Sequence, residues 1–252
     1  MSNSKIENLG VYSKKHPSAR PKWGQQWDNE VLEYLSKIGP LLLFNRMLKE
    51  KAEEPCLILG FSYEQEILSS FYRKIVGINL TKGEFQLKDR GNKDYELIVC
   101  NAENLPFKDS TFKNVISHAF LHHVDVQNQV FEIKRVSCNN GFFYLWEPGK
   151  YNLIAAVGRK FFPTNIHVKS EHPFNPSALK RIIINDLGKI QYEGYYHIVS
   201  AILPFFAKYN KFFKSKKIAD FADKIDRILA HTILKNFAWV LIFGVEIHKN
   251  LE

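Results

Sequence analysis

Between residues 55 and 148, short apolar runs alternate with amphipathic stretches. The runs occupy 56–60, 74–80, 95–102, 114–120 and 142–148, and the stretches 64–73 and 126–137 carry apolar residues at helical spacing. Runs that are apolar at successive positions are buried on both faces, so they predict strands of a parallel sheet with helices packed on either side. Upstream, Asp28 or Asn29 can cap a helix carrying Val31, Leu32, Leu35 and Ile38, and Pro40 fits the first turn of a second helix through Glu53. Downstream, Asn175-Pro176-Ser177 starts a helix through Ile184, 190–198 reads as a strand, and 238–248 reads as a final one. Residues 198–231 read as helical stretches with apolar and basic faces, placed to cap a site.

No repeat, low-complexity tract or Pro/Gly/Ser linker divides the 252 residues, so the chain reads as one domain. Its parts are N-terminal helices or a lid (1–54), a core (55–150), and a cap with the last strands (151–252). At 45% hydrophobic and 24% charged, the sequence can bury a sizeable core. Cys56, Cys100 and Cys138 have neither the count nor the spacing of a disulfide scaffold or zinc site, which implies a reducing compartment and no metal. The first fifteen residues have no apolar core of a signal peptide, and the longest stretch without formal charge, 194–207, contains Pro204 and is too short to span a bilayer. A cytoplasmic protein is expected, at most in peripheral contact with a membrane.

Charge adds a location. Residues 150–217 hold 12 Lys/Arg against Glu171, Asp186 and Glu193, an excess equal to the +9 of the whole chain. A concentration of this kind suits solvated helix faces, an anionic small-molecule acceptor or a lipid headgroup. Nucleic acid is not expected, because zinc-finger spacing and RRM-type aromatic signatures are absent. The aromatic pairs Phe161-Phe162, Phe205-Phe206 and Phe212-Phe213 are read as core under the cap, with a surface-lying amphipathic patch as the sharper alternative.

Within 56–148 one ordered set of pieces stands out. Residues 101–115 read Asn-Ala-Glu-Asn-Leu-Pro-Phe-Lys-Asp-Ser-Thr-Phe-Lys-Asn-Val, followed by Phe120-Leu121-His122-His123-Val124, Glu132-Ile133-Lys134-Arg135-Val136, Gly141-Phe142-Phe143 and Glu147-Pro148. In order and spacing this set resembles the class I S-adenosylmethionine-dependent methyltransferases, in the branch acting on small molecules and sugars. The resemblance implies an α/β, Rossmann-like seven-stranded sheet, mostly parallel with one antiparallel strand near the end, with helices on both faces. It also implies S-adenosylmethionine as cofactor. By position it assigns cofactor contacts to Gly60, Phe61 and Ser62 after the first strand, Asn79 and Leu80 after the second, Asn101, Ala102 and Glu103 after the third, and His118 at the end of the fourth.

The departures from the family pattern fall on that cofactor site. Ile58 stands where the family has an acid, the glycine-rich turn keeps Gly60 but has Ser62 and Glu64, and Asn79 and Asn101 are amides in place of carboxylates. Exchanging two carboxylates for amides costs about 2 kcal/mol, or about thirtyfold in affinity. Glu64 or Glu66 could supply the missing acid for the cofactor's ammonium group.

Methyl transfer needs alignment of nucleophile, methyl and sulfur, and a hydroxyl acceptor also needs a base. His122 is the candidate base, His123 is read as structural, and Glu147 either faces the substrate or pairs with a basic neighbour. Tyr12 and Trp27 belong to a lid or to packing. The function expected is methyl transfer, by preference to oxygen, onto a small anionic or glycan-linked acceptor. The alternative is a degenerate member that has lost methyl transfer and acts as a binding or scaffold protein, or catalyses another reaction. A nicotinamide dehydrogenase ranks lower, since no Gly-x-Gly-x-x-Gly follows the first strand.

Overall fold

The computed structural model describes residues 29–61, 69–82, 85, 94–161 and 172–249, without the side chains of Asn29, Asp94 and 158–161. Two helices, α1 (Asn29–Ile38) and α2 (Pro40–Lys51), lead into β1 (Cys56–Leu59). There follow β2 (Lys74–Asn79), β3 (Asp94–Val99), β4 (Phe112–His118), α3 (Val126–Val136), β5 (Ser137–Pro148) and α4 (Leu153–Phe161). The remaining elements are α5 (Pro176–Ile182), β6 (Gly188–Tyr196), α6 (Leu203–Tyr209), α7 (Lys216–Leu229) and β7 (Val240–Ile247).

The seven strands form one sheet in the order β3-β2-β1-β4-β5-β7-β6. Six run in the same direction, and β7 alone runs antiparallel to its neighbours β5 and β6. The expected Rossmann-like sheet is present, with the expected antiparallel strand at 240–247.

Alternation along each strand divides the core between the two faces. Leu57, Leu59, Val115, Phe143 and Leu145 go to one face, covered by Val130, Ile133 and Val136 of α3 and by Leu179, Ile183 and Leu187. Cys56, Ile58, Ile116, Phe142 and Tyr144 go to the other, covered by Phe44, Met47 and Leu48 of α2. Full burial of side chains of this size contributes about 1.5–3 kcal/mol each.

Local chemistry sets the helix ends. Asp125 caps α3 by accepting from Asn128 N–H, and Asn175 caps α5 by accepting from Ser177 and Ala178 N–H ahead of Pro176 in the first turn. The helix expected through Ile184 continues as a π turn, 183–187, and ends at Gly188, where φ is 155° and a Cβ would sit 2.2 Å from Glu246 O.

Some expectations fall outside the described residues: the cap at Asp28, Tyr12 and Trp27 in the lid, and residues 64–68 of the helix expected at 64–73, whose described remainder holds a 3₁₀ turn at Ser69–Phe71. One is corrected. Phe206 and Phe212 are exposed rather than core, because the buried faces of these segments are taken by Leu203, Pro204 and Ala207, with Phe213 packing beside them. Among the described residues, no helix is long and apolar enough to cross a membrane.

Candidate active site

The carboxyl ends of β3, β2, β1, β4 and β5 form one edge of the sheet, where ligands bind in open sheets of this kind. Register aligns that edge: Asn79 pairs with Val99, Leu59 with Ile78 and Ser117, and His118 with Trp146. Gly60, Asn79, Asn101, His118 and Glu147 therefore stand along one row.

At the β4–β5 end a buried carboxylate organises the chain. Beyond His118 the backbone turns at Ala119 (φ 51°), whose N–H donates to Trp146 O, and enters a 3₁₀ turn at Leu121–His123. Glu147 Oε1 accepts from Phe120 N–H (3.0 Å), Leu121 N–H (2.7 Å) and Ser117 Oγ–H (3.2 Å). Glu147 Oε2 lies 2.7 Å from His122 Nδ1. The carboxylate is fully buried, a costly placement unless its acceptor sites are filled, and here both oxygens are engaged.

An anionic oxygen facing Nδ1 holds the proton there and leaves Nε2 as the basic nitrogen. The His123 ring lies 3.9 Å from that of His122, and His122 O accepts from His172 N–H. Of the two sequence readings for Glu147, pairing with a basic neighbour is the one realised, and the neighbour is His122. The signal lay in register, because Glu147 stands two residues beyond the Ser117–Leu145 pair.

The β1–β2–β3 end is built on amides. Gly60 takes φ 65°, and a Cβ there would lie 2.3 Å from Cδ2 of Phe120, so ring and positive φ both require glycine. Phe61 is fully buried: a Cβ on Gly77 would meet its Cγ at 2.7 Å, and the Tyr95 ring is 5.5 Å away. Its side chain is core, and its backbone N–H donates to Ile78 O (2.9 Å). Asn79 Nδ2 donates to Phe61 O, tying the end of β2 to the turn after β1.

Asn101 Oδ1 accepts from Glu103 N–H, and Glu103 Oε1 accepts from Asp125 N–H, joining the turn after β3 to the start of α3. Ala102 is buried and Leu80 half-buried. His118 packs against Trp146 and Phe44, on the sheet face opposite Glu147, so the structure separates it from His122. Ser62, Glu64, Glu66, and the side chains of Arg159 and Lys160 lie outside the described residues. Burial pushes the Cys100 thiol up to about 11, which leaves it protonated and unreactive at neutral pH.

Residues 59–145 match the family model described as a methyltransferase domain. The fold of the whole chain agrees. It is similar to geranyl diphosphate C-methyltransferase from Streptomyces coelicolor A3(2), whose structure holds Mg²⁺, geranyl diphosphate and S-adenosyl-L-homocysteine (11% identity, 98% of this chain and 99% of that one, TM-score 0.58). It is also similar to the YcgJ protein of Bacillus subtilis (17% identity, 82% and 99%, TM-score 0.52) and to the [4+2]-cyclase SpnF (15% identity, 82% and 81%, TM-score 0.54). No curated protein matches the sequence.

The strand ends of this sheet fit the adenosine part of S-adenosylmethionine in donor chemistry. With Nδ2 engaged by Phe61 O, Asn79 offers Oδ1, an acceptor for a ribose hydroxyl. Ile58, which replaces the family's acid, is wholly buried among core side chains, so no carboxylate can act from that position.

Proposed function

We propose that this protein transfers a methyl group from S-adenosylmethionine to an oxygen of a small anionic or glycan-linked acceptor, with His122 as the base. The observation that carries the reading is the buried His122–Glu147 pair at the strand edge of a methyltransferase domain.

Gly60 (through its backbone), Asn79, Leu80, Asn101 and Ala102 would hold the cofactor, which when bound supplies an activated methyl group on a sulfonium sulfur. His122 Nε2 takes the proton of the acceptor hydroxyl. Glu147 fixes the ring and its tautomer and stabilises the imidazolium that forms, as a carboxylate does behind a catalytic imidazole in acyl transfer. Phe120 and Leu121 N–H hold Glu147 in turn, so the base is positioned by backbone before any ligand arrives. Two observations support an anionic acceptor: the basic excess between 150 and 217, and the diphosphate ligand of the Streptomyces relative.

The experiment is a transfer assay with methyl-labelled S-adenosylmethionine and paired hydroxyl acceptors, with and without a phosphate group. Label should pass to the phosphorylated acceptor, and His122→Ala should abolish most of it. Transfer that survives in His122→Ala would remove His122 as the base.

A further inference from the structure

Helix α7 buries acids and exposes apolar side chains. Its inward positions are Ala219, Ala222, Asp223 and Asp226, whereas Phe221 is 65% and Ile228 68% exposed. At 3.6 residues per turn, Lys217, Phe221, Lys224 and Ile228 fall within about 60° of one another on the outward side. The helix thus presents a Lys-Phe-Lys-Ile stripe, and the 3₁₀ turns at its two ends expose Phe212 and Ile233. Exposed apolar side chains gathered on one face mark an interaction surface more often than chance placement.

The carboxylates of this helix are all directed to the protein. Asp220 accepts from the Tyr34 hydroxyl (2.7 Å), Asp223 from Arg227 Nε (2.7 Å), and Asp226 from Val199 N–H (2.7 Å) and Ser200 N–H (3.3 Å). Lys211, Lys216, Lys217 and Lys224 are exposed. Lys214 lies 3.9 Å from Glu30. On the outward surface Phe221 and Ile228 lie side by side, with Lys217 and Lys224 along one edge of them.

We propose that this face docks on an anionic lipid surface. An aromatic and an aliphatic side chain at the stripe enter the headgroup boundary while the adjoining lysines meet lipid phosphates. A second copy of the chain fits less well, because a two-fold contact through the stripe would gather Lys217 and Lys224 of both copies into one interface of like charge. The face is firmly anchored: Asp226 grips the chain just past β6, and Asn152 Nδ2 donates to Phe237 O and His197 O at the carboxyl edge of the sheet. The inference does not depend on methyl transfer.

The test is co-sedimentation of the full chain with vesicles of phosphatidylcholine mixed with phosphatidylglycerol, against vesicles of phosphatidylcholine alone. The wild type should partition to the mixed vesicles only, and the paired variant Lys217→Gln with Lys224→Gln should bind about thirtyfold more weakly. Phe221→Ser with Ile228→Ser should lose binding even at low salt, with an unchanged melting temperature. Absence of binding, or equal binding to both vesicle types, would overturn the proposal. So would a wild-type dimer that the Phe221/Ile228 variant converts to monomer without any vesicle binding.

Discussion

His122 Nδ1 and Glu147 Oε2 lie 2.7 Å apart, and the carboxylate that fixes this ring also closes the turn in which the ring sits. Glu147→Gln should keep the acceptor for Phe120 and Leu121 but place an N–H donor opposite His122 Nδ1, forcing the proton to Nε2. Methyl transfer should fall by about a hundredfold or more, while affinity for S-adenosylhomocysteine changes little. Unchanged turnover would show that the pair is structural.

Gly60 and Phe120 exclude each other's enlargement. Gly60→Ala should destabilise the fold by about 1–3 kcal/mol, through positive φ and the contact with the Phe120 ring. Phe120→Ala in the same chain should relieve the contact, so the double variant should lose less than the sum of the two single losses in urea unfolding. Strict additivity would mean that the ring does not constrain the glycine.

The two amides that replace family acids should respond differently to reversion. Asn79→Asp removes the donor to Phe61 O and sets a carboxylate against that carbonyl, at a cost of about 1–3 kcal/mol in stability. Asn101→Asp keeps the acceptor for Glu103 N–H and should leave stability within about 0.5 kcal/mol. Equal unfolding midpoints for the two variants would contradict these placements.

His197 gives a pH dependence with a definite sign. Burial lowers its pKa from 6.5 to about 4, and it packs beside Ser200 Oγ (3.1 Å) and the Trp239 ring. The neutral ring is the one the fold accepts, so the unfolded chain binds the extra proton between these values. Stability is therefore full above pH 6.5 and falls as pH drops toward 4, by about 3 kcal/mol in all. His197→Gln should flatten this part of the profile, and parallel wild-type and variant profiles from pH 7 to 4 would show that His197 does not titrate in that window.

The strands were legible because a segment buried on both faces is apolar at nearly every position, as at Cys56–Leu59. Phe61 was legible as part of a motif but not as core, since which face its ring takes depends on Gly77 of a neighbouring strand. The His122–Glu147 pair required the register of β4 against β5, which spacing alone does not contain. Helix α7 reads as amphipathic in sequence, yet its buried side is the one with acids. The partners that make this burial possible, Tyr34, Val199 and Ser200, come from distant parts of the chain. For the same reason Phe212 looked like core and is surface: nothing local told which neighbour would cover it.

Calorimetric titration with S-adenosylhomocysteine, run on the wild type and on His122→Ala, addresses the central claim directly. The structure predicts saturable binding at one site in both, because the adenosine-holding residues stand apart from the base. No heat from the wild type at millimolar ligand would contradict cofactor binding at the strand ends, and methyl transfer would fall with it.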